Sequence, residues 1–265
     1  MPGPDEISVT QLARLIGTPE APIIIDVRPQ EDREADPFLM PCARVAAHLT
    51  PQTALTAHSS RPIAVTCYKG GKFAQGAAAL LRNMGHRAEV VEGGWAAWRA
   101  AKLPVIDAKA RDQSLWVTRH RPKVDRIACP WLIRRFVNPE ARFLYVSPAA
   151  VPEVAAKFNA VPYDIEGVAY SHVGENCTFD TMLDLFGLHS EPLARMALVI
   201  RAADTDRHSL APQAAGLLAI SVGLSRQFRD DLAQLEAGMV IYDALYRWAR
   251  DGFDEGHDWP AGRPT

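Results

Sequence analysis

The stretch Ala64–Gly85, AVTCYKGGKFAQGAAALLRNMG, constrains this chain more than any other. The short apolar, β-branched run Ile63–Thr66 predicts a strand that ends at Cys67. A loop with a glycine pair follows, over Tyr68–Lys72. Ala74, Ala77, Ala78 and Leu81 then recur at i, i+3, i+4 and i+7, which predicts a helix, and Gly85 stands where a glycine stops one. Successive N–H groups in a tight glycine loop form a nest for an anion, and the following helix N-terminus adds partial positive charge. A cysteine in that setting is expected to be a thiolate near neutral pH. Lys69 and Lys72 add charge to the same loop. The alternative is an inert, buried cysteine at a strand end. The glycine pair, the lysines and the helix favour a nucleophile.

At 265 residues the chain has room for one large or two ordinary domains. Its net charge of −2 gives no sign of bulk nucleic-acid binding, and no nucleic-acid partner is predicted. The start, MPGPDEISVTQ, has neither a cationic segment nor an apolar run, so no secretory signal is expected. No apolar stretch is long enough to span a membrane. Cys42, Cys67, Cys129 and Cys177 are far apart, without a Cys-x-x-Cys pair. That argues against a zinc ribbon or a disulfide framework and predicts a reducing, cytoplasmic location.

Ser8 and Gln11 form a predicted capping box for a helix over Ile7–Gly17. Ile23–Val27 and Ala88–Val91 predict further strands, and Trp95–Ala101 a helix. Strands alternating with helices imply a mainly parallel α/β sheet, whose ligand sites lie beyond the carboxyl ends of its strands. Cys67 sits at such an end. Asp107–Ser114 is charged and rich in small residues, and is expected to be a linker. The predicted domains are therefore 1–106 and 115–265, joined by 107–114.

The first part resembles a rhodanese (sulfurtransferase) domain. The resemblance rests on the cysteine loop, on Ile25-Asp26-Val27-Arg28, and on Val91-Glu92-Gly93-Gly94-Trp95 through Leu103-Pro104-Val105. It implies a rhodanese-like parallel sheet flanked by helices, with Cys67 carrying sulfane sulfur as a persulfide. It also implies substrate contacts from Tyr68, Lys69, Gly70, Gly71, Lys72, Phe73 and Arg28, with Asp26 as support. Read on their own, Asp26 and Arg28 suit a structural ion pair. Two positions depart from the family pattern. Lys72 replaces the usual arginine, which turns a bidentate clamp into a point charge. Cys42, in Phe38-Leu39-Met40-Pro41-Cys42-Ala43, replaces the usual glycine. A related phosphatase would need an arginine six positions after the cysteine, where Phe73 stands.

The second part predicts strands at Leu115–Thr118 and Phe143–Val146, and then mostly helix: Phe179–Phe186, Pro192–Ala203, Pro212–Phe228 and Asp231–Arg250. Around Pro130, either Asp125 caps a kinked helix or a helix begins at the proline. Leu232, Leu235, Met239, Tyr242, Tyr246 and Ala249 form a narrow seam. Such a seam usually packs within its own chain, and a homodimer through Asp231–Arg250 is the alternative. This part resembles the C-terminal domain of bacterial chromate-resistance (ChrB-type) proteins. The likeness is carried by Trp116–Arg119, Asp125–Ala128, Trp131–Phe136, His172, Cys177–Asp180, Ala203–Arg207 and Tyr242–Tyr246. It implies a mainly helical α+β domain with a role in tolerance to chromate or related oxyanion stress.

His172, Glu175, Cys177, Asp180, Asp204 and Asp206 bring together donors that suit a first-row transition metal. Solvated loop groups and a capping aspartate pair are the plainer alternative. Asp204 ends a predicted helix, where a carboxylate opposes the helix dipole and needs compensation from Arg207 or a metal. The functional expectation is a sulfurtransferase that passes sulfur from an anionic donor such as thiosulfate to a thiol or cyanide-like acceptor through Cys67. That step requires no cofactor. A chromate- or oxidant-responsive sensor or binding protein with low turnover is the alternative. A metal-dependent activity of the second part is the third reading.

Overall fold

The structure is a computed structural model describing residues 3–56 and 60–256. The first part runs β1 (Glu6–Ile7), α1 (Val9–Leu15), β2 (Ile23–Asp26), α2 (Gln30–Ala35), β3 (Phe38–Leu39) and β4 (Arg44–Val45). It continues through β5 (Ile63–Thr66), α3 (Lys72–Asn83), β6 (Ala88–Val91), α4 (Gly94–Ala100), β7 (Ile106–Asp107) and α5 (Ala108–Asp112). Five strands form a wholly parallel sheet in the order β1-β6-β5-β2-β4. β3 and β7 pair antiparallel beside it. The Ser8–Gln11 capping box is present at α1.

Side chains alternate across a strand, so each strand serves two faces. Ile23, Ile25, Ile63, Val65 and Cys67 pack with Ala74, Ala77, Ala78 and Leu81 of α3. Ile24 and Ala64 point the other way, into a second and larger core. A sheet buried on both faces needs near-continuous apolar strands, which is how β2 and β5 read.

The second part opens with β8 (Leu115–Arg119), α6 (Val124–Leu132), β9 (Arg142–Val146), α7 (Val151–Phe158) and β10 (Val161–Pro162). Its strands are parallel in the order β10-β8-β9. The helices α8 (Thr178–Phe186), α9 (Glu191–Asp204), α10 (Ala214–Gln227) and α11 (Asp231–Asp251) follow. No described helix is long and apolar enough to cross a membrane. α6 continues through Pro130 and passes into a π-helical turn over Ile133–Val137. Proline has no N–H for the carbonyl four residues back, so the Arg126 carbonyl is freed. The Tyr145 hydroxyl donates to it at 2.9 Å. Asp125 does not cap α6; it lies inside the first turn.

The segment 107–114, expected to be a linker, is ordered by β7 and α5, and Ala110 joins the larger core. The α11 seam packs within the chain, as its spacing favours: Leu235, Met239, Tyr242, Tyr246 and Ala249 are buried against the helices beneath, while Leu232 is exposed.

The larger core does not stop at the family-like boundary. Ile7, Leu12, Ile16, Trp95 and Trp98 belong to the same apolar cluster as Trp116, Trp131, Phe136 and Tyr246. The Cys42 N–H donates to the Phe136 carbonyl at 3.0 Å, and Arg250 to the Arg14 carbonyl at 2.7 Å. A Cβ at Gly17 would lie 2.5 Å from Phe136 Cζ and 2.7 Å from Tyr246 Cε1. The two parts are built as one folded body.

Candidate functional site

Cys67 follows the last residue of β5 at the carboxyl edge of the sheet, and is 4% exposed. The loop Tyr68–Gly71 lifts the chain from the strand into α3, with Gly71 as N-cap. Gly70 takes a φ of +67°, and a Cβ there would meet the Val91 carbonyl at 2.6 Å. The loop is braced from behind by α4. Trp95 N–H donates to the Cys67 carbonyl at 2.9 Å and Ala96 N–H to the Tyr68 carbonyl at 2.8 Å. With its carbonyls turned to α4, the loop leaves its donors free. The N–H groups from Tyr68 to Ala74 make no hydrogen bond among the described residues. Tyr68, Lys69 and Lys72 are exposed around this rim. Lys72 Nζ lies 5.2 Å from the Phe73 ring, whose other neighbour is His48 at 4.5 Å between centroids. His48 was not anticipated. It sits far from the loop in sequence, and no local pattern marks it.

Arg28, expected among the substrate contacts, is held inside the fold and paired with Asp26. Its Nε donates to Asp26 Oδ2 at 2.8 Å, and its Nη2 to the Phe38 carbonyl at 2.7 Å. Its guanidinium lies 4.2 Å over the Trp95 ring. Asp26 and Arg28 are thus a buried strut behind the cysteine loop, acting through Trp95. The other cysteines are poor nucleophiles. Burial pushes the Cys42 thiol up to about 12, and burial also raises Cys129 and Cys177.

A second cluster lies in the helical part. Asp125 comes from the first turn of α6, Asp164 from just after β10, His172 from the next loop, and Asp204 from the end of α9. His172 Nε2 is 3.2 Å from Asp204 Oδ2, 3.5 Å from Asp125 Oδ2 and 3.6 Å from Asp164 Oδ1. Thr178 N–H, at the start of α8, donates to Asp125 Oδ2 at 2.6 Å, and Thr178 Oγ1 to Asp164 Oδ1 at 2.9 Å. Arg119 and Arg126 pair with Asp164 Oδ2 at 3.0 and 3.2 Å. Hydrogen bonding to Asp125 and Asp164 raises His172 to about 10. Burial, then the Asp125 and Asp164 charges, raise Asp204 to about 7. Burial also raises Asp125. At Asp164 burial acts upward, but His172, Arg126, Thr178 and Arg119 outweigh it and hold the carboxyl low.

Of the six residues expected to ligate a metal, the structure brings His172 and Asp204 into this cluster and sets the Cys177 side chain beside Asp125 at its edge. Glu175 is 88% exposed and pairs with Arg207. Asp206 is 90% exposed beside His208. Asp180 accepts from the Cys177 N–H at 3.1 Å and pairs with Arg201, so Cys177 and Asp180 form the start of α8. Arg207 turns to Thr205 and Glu175 and leaves Asp204 to His172. Asp125 and Asp164 were missed. One signal was available: Asp125 is a charged residue on the apolar face formed by Val124, Ile127 and Ala128.

A parallel sheet with a cysteine at a strand end, roofed by a glycine loop and a helix N-terminus, defines the rhodanese-like class. Residues 8–101 match the Rhodanese-like domain. Residues 116–249 match the family described as ChrB, C-terminal domain, and the chain belongs to that family. Protein ChrB of Cupriavidus metallidurans is 32% identical over 149 residues, which are 56% of this chain and 44% of that protein. The chain thus matches less than half the length of that relative. Among solved structures, thiosulfate sulfurtransferase from Pseudomonas aeruginosa is 24% identical, covering 41% of this chain and 20% of that one at a TM-score of 0.34. A rhodanese-like domain protein from Staphylococcus aureus is 23% identical, covering 36% of this chain and 90% of that one at 0.31.

Proposed function

We propose that the chain is a sulfurtransferase in which Cys67 is the nucleophile and the Tyr68–Lys72 loop holds an anionic donor such as thiosulfate. The observation that carries this reading is the run of unpartnered N–H groups from Tyr68 to Ala74 over a cysteine at the foot of α3. Such donors, fixed in place beforehand, favour an anion and the charge that moves during transfer. Lys69 and Lys72 supply the positive charge at the rim, and Tyr68 and Phe73 its walls.

The step balances without a cofactor. The Cys67 thiolate attacks the outer sulfur of thiosulfate. A Cys67 S–S bond forms as the donor S–S bond breaks, and the electron pair leaves with sulfite. A thiolate or cyanide-like acceptor then attacks the outer sulfur of the persulfide and releases the Cys67 thiolate. Cys67 is 4% exposed, which shields it from a bulky group. Fusion to the ChrB-type part supports a role in chromate resistance, with sulfur transfer serving the response to an oxidising oxyanion.

The test is the intact mass of the protein after incubation with thiosulfate, for wild type and Cys67→Ser. One sulfur gained by wild type, absent from the variant and discharged by cyanide, is expected. No adduct in wild type would refute the proposal and leave a rhodanese-like module that senses or binds without turnover.

A further inference from the structure

We propose that Asp125, Asp164 and His172, with Asp204 beside His172, form a binding site for one divalent transition-metal ion. The cluster stands on its own geometry and is independent of sulfur transfer at Cys67.

Three carboxylate oxygens from separate segments surround one ring nitrogen, at 3.2, 3.5 and 3.6 Å. One imidazole nitrogen carries a single proton and can serve one acceptor. Hydrogen bonding therefore does not account for the convergence of three. The donor atoms of Asp125, Asp164 and His172 all lie within 4.8 Å of one another, a spacing that one ion can span. Ligands about 2.1 Å from a tetrahedral centre lie about 3.4 Å from one another.

A second observation points the same way. Asp125 is 2% exposed, its Oδ2 faces His172, and its Oδ1 has no hydrogen-bond partner among the described residues. A buried carboxylate oxygen left unpaired carries a desolvation cost that a bound cation would remove. Charge leads to the same conclusion. Arg119 and Arg126 both engage Asp164 Oδ2, on the side away from His172, so neither arginine pairs with Asp125 or Asp204. Asp204 also sits at the carboxyl end of α9, where the helix dipole adds negative potential.

The surrounding groups orient the ligands. The Thr178 N–H and hydroxyl hold Asp125 and Asp164, as outer-shell partners hold ligands in metal centres. The site can be loaded from solvent. The His172 side chain is 42% exposed, and a cavity of about 330 Å³ lined by Arg119, Asp164, Ser171 and His172 opens beside it. One imidazole among carboxylates suits Zn²⁺ or Mn²⁺, whereas Ca²⁺ and Mg²⁺ prefer oxygen throughout.

The experiment uses the full chain, stripped with a chelator and titrated calorimetrically with Zn²⁺ and with Mn²⁺ separately. Bound metal is counted after gel filtration. One equivalent of at least one of the two ions is expected, with a rise in melting temperature. Asp125 and Asp164 are buried supports whose replacement can unfold the chain, so His172→Ala and Asp204→Asn carry the test. Each is expected to weaken binding at least about tenfold while melting like wild type without metal. Glu175→Gln, outside the cluster, is expected to bind as wild type does. Substoichiometric uptake of both ions by wild type, or wild-type affinity in both cluster variants, would overturn the proposal.

Discussion

The cysteine loop and the carboxylate–histidine cluster are built in opposite ways. The first uses a single run of the chain, Cys67–Ala74, and its donors are backbone N–H groups. The second uses four side chains from four segments, spanning Asp125 to Asp204. A backbone-built site depends on how tightly its loop is held. A side-chain cluster depends on how the segments pack. The loop packs on the smaller core and is braced by Trp95 of the larger one, which also carries the helices around the cluster, so the variants below ask whether the two sites fail separately or together.

The largest effect is expected from Gly94→Ala. Gly94 has a φ of +59°, and a Cβ there would stand 2.2 Å from the Cys67 carbonyl oxygen and 2.4 Å from the Gly70 nitrogen. Backbone on both sides cannot yield as a side-chain end can. The loss should be about 4 kcal/mol or more, with sulfur uptake abolished. Metal uptake by the helical part should persist at temperatures where the chain stays folded. Wild-type melting with intact sulfur uptake would show that α4 does not brace the loop.

Arg28→Met separates support from substrate contact. The change leaves Asp26 buried and charged without its partner, which should cost about 3 kcal/mol in thermal or denaturant unfolding. An unchanged melting temperature with a raised KM for thiosulfate would return Arg28 to the substrate site. Gly17→Ala should cost less, about 2 kcal/mol, because the atoms its Cβ meets are ring edges of Phe136 and Tyr246 that can shift. Its value lies in the shape of the transition. A single unfolding step moved as a whole is expected from the shared core. Two steps, with only one of them moved, would split the molecule into separately folding parts.

What could be read from the chain follows the same division. The strand Ile63–Thr66 and the helix over Lys72–Asn83 are local patterns, and so is the loop between them. The long helices α8 to α11 were legible within one or two residues for the same reason. The cluster was half legible. His172 and Asp204 stood out as polar residues near a helix end, whereas Asp125 read as a capping group near Pro130. Asp164 lies in an irregular stretch and adopts a φ of +52°, which no periodicity reveals. Proximity in sequence drew in Glu175, Asp180 and Asp206, yet neighbours along a loop or helix start point in different directions. The joint between the parts escaped the sequence for another reason. Ala110 carries the packing of 107–114, and a small residue in a charged run has no apolar signature.

The smallest effect, and the finest test of the joint, is Cys42→Gly. Cys42 holds a φ of +63°, a conformation that costs an L-residue about 1 kcal/mol and glycine nothing. Glycine there relieves that strain but loses more entropy on folding, by about 0.5–1 kcal/mol. It also gives up the thiol contact with the Arg134 carbonyl, which at 3.7 Å is weak. The Cys42 N–H to the Phe136 carbonyl survives any substitution that keeps the backbone in place. These terms nearly cancel, so denaturant unfolding should place the variant within about 1 kcal/mol of wild type, with both sites intact. A loss above about 2 kcal/mol would mean that the Cys42 sulfur, and not the backbone beside it, locks the cysteine-loop part to the helical part.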